Sequence, residues 1–137
     1  MTKVVLDTNI ILSSVFTSSP YHRILSDFFH HKYTLIVTTD ILLEYEEKIA
    51  ENFGEDVALS IVDSILQNSL LKRISVFFNL GLIKADPDDN KFVDAAFAAN
   101  ADFIVTNDRH FNILKKINFP SIKVIDIDTF LKILSQQ

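Results

Sequence analysis

Apolar residues fall along this chain in two rhythms. Short, nearly unbroken apolar runs from Lys3 to Leu6, Tyr33 to Thr38, Phe103 to Thr106 and Ile122 to Ile125 each predict a buried strand. Between them the apolar positions recur at helical spacing. Ile41, Leu42, Tyr45 and Ile49 mark one face of a helix that Thr39 or Asp40 would cap and Gly54 would stop. Ser19-Pro20 opens an earlier helix running to about His31, because serine caps well and proline suits a first turn. Further helices are expected from Glu55 to about Leu71, from about Asn90 to Asn100 after the turn Asp86-Pro87-Asp88-Asp89, briefly after Asn107, and from Asp128 to Leu134. From Arg73 to Lys84, the residues Ile74, Val76, Phe77, Phe78, Leu80, Leu82 and Ile83 suit short strands and a helix end equally. Strands alternating with helices predict an α/β fold whose parallel sheet is covered on both faces.

Asp7, Glu44, Asp89 and Asp108 stand where these runs end or helices begin. In an open parallel sheet with right-handed crossovers, the loops leaving the carboxyl ends of the strands share one edge, and ligands bind there. Asp7 and Asp108 follow strands to that edge, and Asp89 enters a helix from it. Glu44 lies about one turn into its helix, whereas Glu47 and Glu51 are carried away at about 1.5 Å per residue. Taken singly, each acid has an ordinary explanation. Asp7 suits an Asx turn or cap, Glu44 a solvated helix face, Asp88 and Asp89 a helix N-terminus, and Asp108 the cap of the next helix. Their joint placement on one edge points instead to a site for Mg²⁺ or Mn²⁺, one ion or two, because hard cations take carboxylate oxygens and serve phosphate chemistry. Thr8, Asn9, Thr106 and Asn107 are candidates to hydrogen-bond these carboxylates and fix them.

Composition narrows the chemistry. The chain has 137 residues, 48% of them hydrophobic, with 12 Phe and no Trp, which suits one compact domain spanning 1–137. Without cysteine there is neither a disulfide framework nor a thiolate metal site. A net charge of -5 argues against nucleic-acid binding through a general basic field, although a cation held by the acids would draw phosphate locally. Lys84 and Lys91, Arg109 and His110, and Lys115 and Lys116 lie close in sequence to the acids. The histidines read as weak ligands, since His30 and His31 cannot share a helix face and His22 and His110 stand alone. No apolar run reaches the length of a membrane span and the start leads directly into a strand, so a cytoplasmic location is expected.

Four segments taken in order, Val-Val-Leu-Asp-Thr-Asn, Leu-Leu-Glu-Tyr, Asp-Pro-Asp-Asp-Asn-Lys-Phe and Ile-Val-Thr-Asn-Asp, resemble the PIN-domain family from Val4 to about Ile125. The likeness is to its stand-alone, VapC-like branch, the toxins of toxin–antitoxin pairs. That resemblance implies a three-layer α/β/α fold with a central parallel sheet of four or five strands. It also implies a Mg²⁺- or Mn²⁺-dependent ribonuclease, commonly a homodimer, inhibited by an antitoxin that occupies its active-site groove. The family's acids match Asp7, Glu44, Asp89 and Asp108 here, and a ribonuclease would make Lys91, Arg109 and His110 candidate RNA contacts. Asp86, Asp88 and Asp94 compete for the third place, Asp94 first among them, and Asn90 stands where some relatives carry an acid. Two alternatives stay open. A haloacid-dehalogenase-like phosphotransferase would need a second acid where Asn9 stands, and a non-catalytic PIN-fold binding module would have no use for all four acids.

Overall fold

The computed structural model describes residues 1–118 and 120–137. Strands β1 (Lys3–Leu6), β2 (Thr34–Val37), β3 (Leu71–Arg73), β4 (Phe103–Val105) and β5 (Val124–Ile125) form one parallel sheet in the order β3-β2-β1-β4-β5. Successive strand residues point to opposite faces, yet Val4, Val5 and Leu6 are all fully buried, as are Leu35, Ile36 and Val37. Both faces of the sheet are therefore covered, and the three-layer expectation is met.

The helices are α1 (Thr8–Ser13), α2 (Arg23–Phe29), α3 (Thr39–Phe53), α4 (Glu55–Leu66), α5 (Asn90–Ala98) and α6 (Ile127–Ser135), with 3-10 turns at Pro87–Asp89 and Arg109–Lys116. Helix α1 escaped the sequence reading because its six residues are too few to display a period. The hydroxyl that caps α3 is that of Thr38, which accepts from the Ile41 amide at 3.2 Å, one residue earlier than expected. Gly54 separates α3 from α4 with φ at +98°, a conformation that side chains with a Cβ rarely adopt. Among the described residues no helix is long and apolar enough to cross a membrane.

Helix α4 ends at Leu66, not near Leu71. Asn68 turns the chain there, accepting the Leu70 amide at 2.9 Å and donating to the Phe28 carbonyl at 3.1 Å, so that Leu71–Arg73 can pair with β2. The ambiguous segment that follows has neither helix nor strand from residue 74 to residue 86. Two side chains one turn apart on α5 hold it in place. The buried Asn90 amide accepts from the Ile83 N–H and donates to the Ile83 carbonyl, both at 2.8 Å, while Asp94 accepts the Leu80 N–H at 3.1 Å. A carboxylate at 90 could not donate, which gives asparagine a structural reason for standing there.

Tyr45 anchors α3 to the sheet under the acidic edge. Its buried hydroxyl donates to the Leu6 carbonyl at 2.5 Å, immediately before Asp7. Tyr45→Phe is expected to cost about 1 kcal/mol, a fall in melting temperature of about 4 °C by calorimetry. An unchanged melting temperature would show that this bond does not hold the two elements together.

Candidate active site

The sheet order reverses direction at β1, which lies between β2 and β4, and the crevice beyond the carboxyl ends of β1 and β4 is the place where open α/β sheets take ligands. Parallel pairing sets Leu6 beside Val105, and the Asp7 amide donates to the Val105 carbonyl at 3.0 Å. Asp7 and Thr106 are thereby neighbours, and the Thr106 hydroxyl donates to Asp7 Oδ2 at 2.7 Å. Asp7 starts α1, yet its side chain makes no capping bond to the helix and is only 5% exposed. Its pKa is raised above the ordinary value, mainly by burial; Thr106 opposes the rise, whereas Asp108 and Glu44 add to it.

Asp89 reaches the same place from the start of α5. Its carboxyl caps nothing, and its Oδ2 is buried with no hydrogen-bond partner. Burial first, then the charges of Asp86, Asp7 and Asp108 and a carboxyl contact with Asp108, push its pKa up to about 7. Asp108 does act as a cap: its Oδ1 accepts the His110 amide at 2.9 Å, and its own amide donates to the Thr106 hydroxyl at 3.0 Å. The ordinary reading of Asp108 thus holds for one oxygen while the residue still faces the other acids.

Glu44 comes in from α3 with both oxygens engaged. The Thr8 hydroxyl donates to Oε2, and Lys91 Nζ lies 2.7 Å from Oε1. Lys91 also donates to the Asp88 carbonyl at 3.1 Å, so this lysine, a candidate RNA contact from sequence, bridges Glu44 and the turn before α5. Arg109 is exposed at the edge of the cluster. His110 does not stand alone: its Nδ1 lies 3.4 Å from Asp108 and 3.8 Å from Asp89. The ligand atoms of Asp86, Asp89 and His110 fall within 4.8 Å of one another. Nothing in the apolar pattern pointed to that histidine. Its place two residues after Asp108, on the first turn of a helix, was the available signal.

The remaining expectations divide cleanly. Thr8 and Thr106 do support acids, but Asn9 is exposed on α1 with no bond to any of them. Asn107 spends its carbonyl oxygen on the Ile127 amide at 3.0 Å, tying β4 to α6. Among the reserve acids, Asp86 caps the Pro87–Asp89 turn through the Asp88 amide, Asp88 is exposed, and Asp94 holds Leu80 away from the cluster. Asp89 alone of these four faces Asp7 and Asp108 with an unpartnered oxygen. Carboxylates that raise one another's pKa around such an oxygen are the donor set that a hard divalent cation suits. Beside Glu44 opens a groove of about 1060 Å³, running between the first turns of α3, the 74–86 loop and α5.

Comparison with solved structures gives the same fold in three crystal structures. VapBC2 from Rickettsia felis, bound to a fragment of its promoter DNA, is 19% identical with a TM-score of 0.62, over 91% of this chain and 98% of that one. DNA-bound VapBC from Salmonella typhimurium is 18% identical with a TM-score of 0.58, over 93% and 99%. PAE2754 from Pyrobaculum aerophilum is 16% identical with a TM-score of 0.61, over 99% and 91%. No curated protein matches the sequence. The family model described as the PIN domain matches residues 3–110, a span that holds Asp7, Glu44, Asp89 and Asp108 together, and the chain belongs to the PIN-domain family.

Proposed function

We propose that this protein is a divalent-metal-dependent endoribonuclease and the toxin of a toxin–antitoxin pair. The observation that carries the nuclease reading is the buried, unpartnered Oδ2 of Asp89, whose carboxyl feels the charges of the buried Asp7 and of Asp108. Burial and the charges these carboxylates impose on one another disfavour ionising all three, and a cation or a proton offsets that cost. Asp7, Asp89 and Asp108 would hold Mg²⁺ or Mn²⁺. Such an ion, when bound, activates water and stabilises charge on a phosphodiester undergoing displacement. Glu44, held by Thr8 and Lys91, would bind a second ion or orient the attacking water. The products would carry a 5′-phosphate and a 3′-hydroxyl.

Support for the toxin role comes from the likeness in fold to the VapBC complexes, and it makes an antitoxin protein the expected partner of this chain. Assembly as a homodimer and a cytoplasmic location belong to the same reading. The phosphotransferase alternative lacks its acid–base group, because Asn9 has no carboxylate and lies exposed. The whole reading is tested by incubating defined single-stranded RNAs with the purified protein in Mg²⁺, in Mn²⁺ and in EDTA. Cleavage in the metals and none in EDTA is expected. Persistence of RNA in all three, by a protein that melts cooperatively, would leave a binding module in its place.

A further inference from the structure

The acids do not gather alone, because the fold brings an imidazole among them. His110 Nδ1 stands 3.8 Å from Oδ2 of Asp89, the buried oxygen that has no hydrogen-bond partner. That separation is too long for a hydrogen bond. It is a spacing that one ion can bridge, since two atoms each about 2.1 Å from a common centre lie about 3.0 Å apart at right angles and about 4.2 Å apart when opposite. Asp86 completes the group, its ligand atom and those of Asp89 and His110 all lying within 4.8 Å of one another.

Local structure sets this trio. Asp86 caps the Pro87–Asp89 turn and Asp89 ends it, while His110 arrives from the first turn of the 3-10 segment that follows β4. One Asp86 oxygen accepts the Asp88 amide at 3.3 Å, and a carboxylate has lone pairs enough to do that and bind an ion as well. His110 is exposed, which leaves an ion a way in from solvent. The donor set decides which ion suits it. Mg²⁺ takes oxygen ligands and gives up its waters reluctantly, whereas first-row transition ions accept an imidazole nitrogen beside carboxylates.

We infer that Asp86, Asp89 and His110 form a cation position adjoining the one proposed for Asp7, Asp89 and Asp108, and that its imidazole nitrogen makes the cluster favour Mn²⁺ over Mg²⁺. The inference rests on the metal-dependent reading above and adds to it a ligand that is not an acid. The competing explanation makes His110 an imidazolium paired with Asp108, whose Oδ1 lies 3.4 Å from Nδ1. In that case the ring supplies charge and no bond to a metal.

Mn²⁺ is paramagnetic and tells the two apart. The full chain, grown with ¹⁵N-labelled histidine and loaded with Mn²⁺, is measured by electron spin echo for modulation from a directly bound ¹⁵N. A coupling is expected in the parent, and none in His110→Gln. Free Mn²⁺, read from its resonance in solution, should show that this variant binds the ion at least about tenfold more weakly, since loss of even a supporting partner of a ligand costs about 10- to 100-fold. Mg²⁺ should then displace Mn²⁺ at a correspondingly lower concentration. Asp86→Asn, which can still accept the Asp88 amide, is expected to weaken Mn²⁺ by a similar factor. Mn²⁺ bound to the parent without a ¹⁵N coupling would overturn the inference and leave the acids as the ion's holders, a result that needs no variant to fold. A coupling that survives His110→Gln would overturn it too, as would unchanged Mn²⁺ affinity in either variant. A parent chain that binds no Mn²⁺ takes the metal-dependent reading down with it.

Discussion

Asp7→Asn is expected to reduce metal-dependent RNA cleavage by more than about a hundredfold, because loss of a mere supporting partner of a metal ligand already costs about 10- to 100-fold. The substitution is nearly isosteric. Asn Oδ1 can still accept from the Thr106 hydroxyl, which now meets Asp7 Oδ2 at 2.7 Å. What disappears is a negative charge buried to 5% exposure among Asp108 and Glu44. Burial and these neighbours raise the Asp7 pKa, so folding disfavours the charged form that the substitution removes. The variant should therefore melt at the same temperature as the parent or higher when no divalent cation is present, and lose activity all the same. Single-turnover cleavage of a defined RNA, paired with a melting curve, separates the two effects. Full activity would remove Asp7 from the chemistry, whereas inactivity with a collapsed melting transition would make it a structural residue.

What could be read from the sequence was whatever obeyed a local rule. β1, β2, β4 and the stripe of α3 were legible because consecutive buried residues, or residues at helical spacing, carry their own signature. The acid cluster was legible because strand ends in a parallel sheet share an edge whatever the side-chain details. Where long-range contacts decide, the local rules went quiet. Helix α4 stops at Leu66 because Asn68 reaches the Phe28 carbonyl forty residues away, and no window around Leu66 contains that fact. The 74–86 loop looks like strand or helix in sequence, yet Asn90 and Asp94 hold it as neither. For Lys91 and His110 the difficulty was similar. A lysine near acids reads as a phosphate contact, and no local rule shows that Glu44 reaches it from a different helix.

Without a divalent cation, stability is expected to fall as pH rises from about 4 to about 7, the reverse of what ion-paired carboxylates produce. The Asp89 pKa climbs from 3.8 to about 7 on folding, through burial first and then the charges of Asp86, Asp7 and Asp108. Between those values the folded chain keeps a proton that the unfolded chain gives up, so raising the pH favours unfolding. The stabilisation is complete below the lower value and is lost as pH passes through the upper one. Asp7 shifts in the same direction and adds to the slope. At pH 7 an added cation is expected to take the place of that proton. Mg²⁺ or Mn²⁺ at about a hundred times its Kd should stabilise the chain by about 2.7 kcal/mol, or raise its melting temperature by about 10 °C. Asp89→Asn should flatten the acid side of the profile, melt higher than the parent at pH 7 without metal, and forfeit most of the rise that metal gives. Melting curves across this pH range, in EDTA and in Mg²⁺, decide the matter. A parent chain whose stability rises with pH would mean that the acids are not crowded in solution, and a melting temperature indifferent to both cations would mean that their crowding serves something other than a metal.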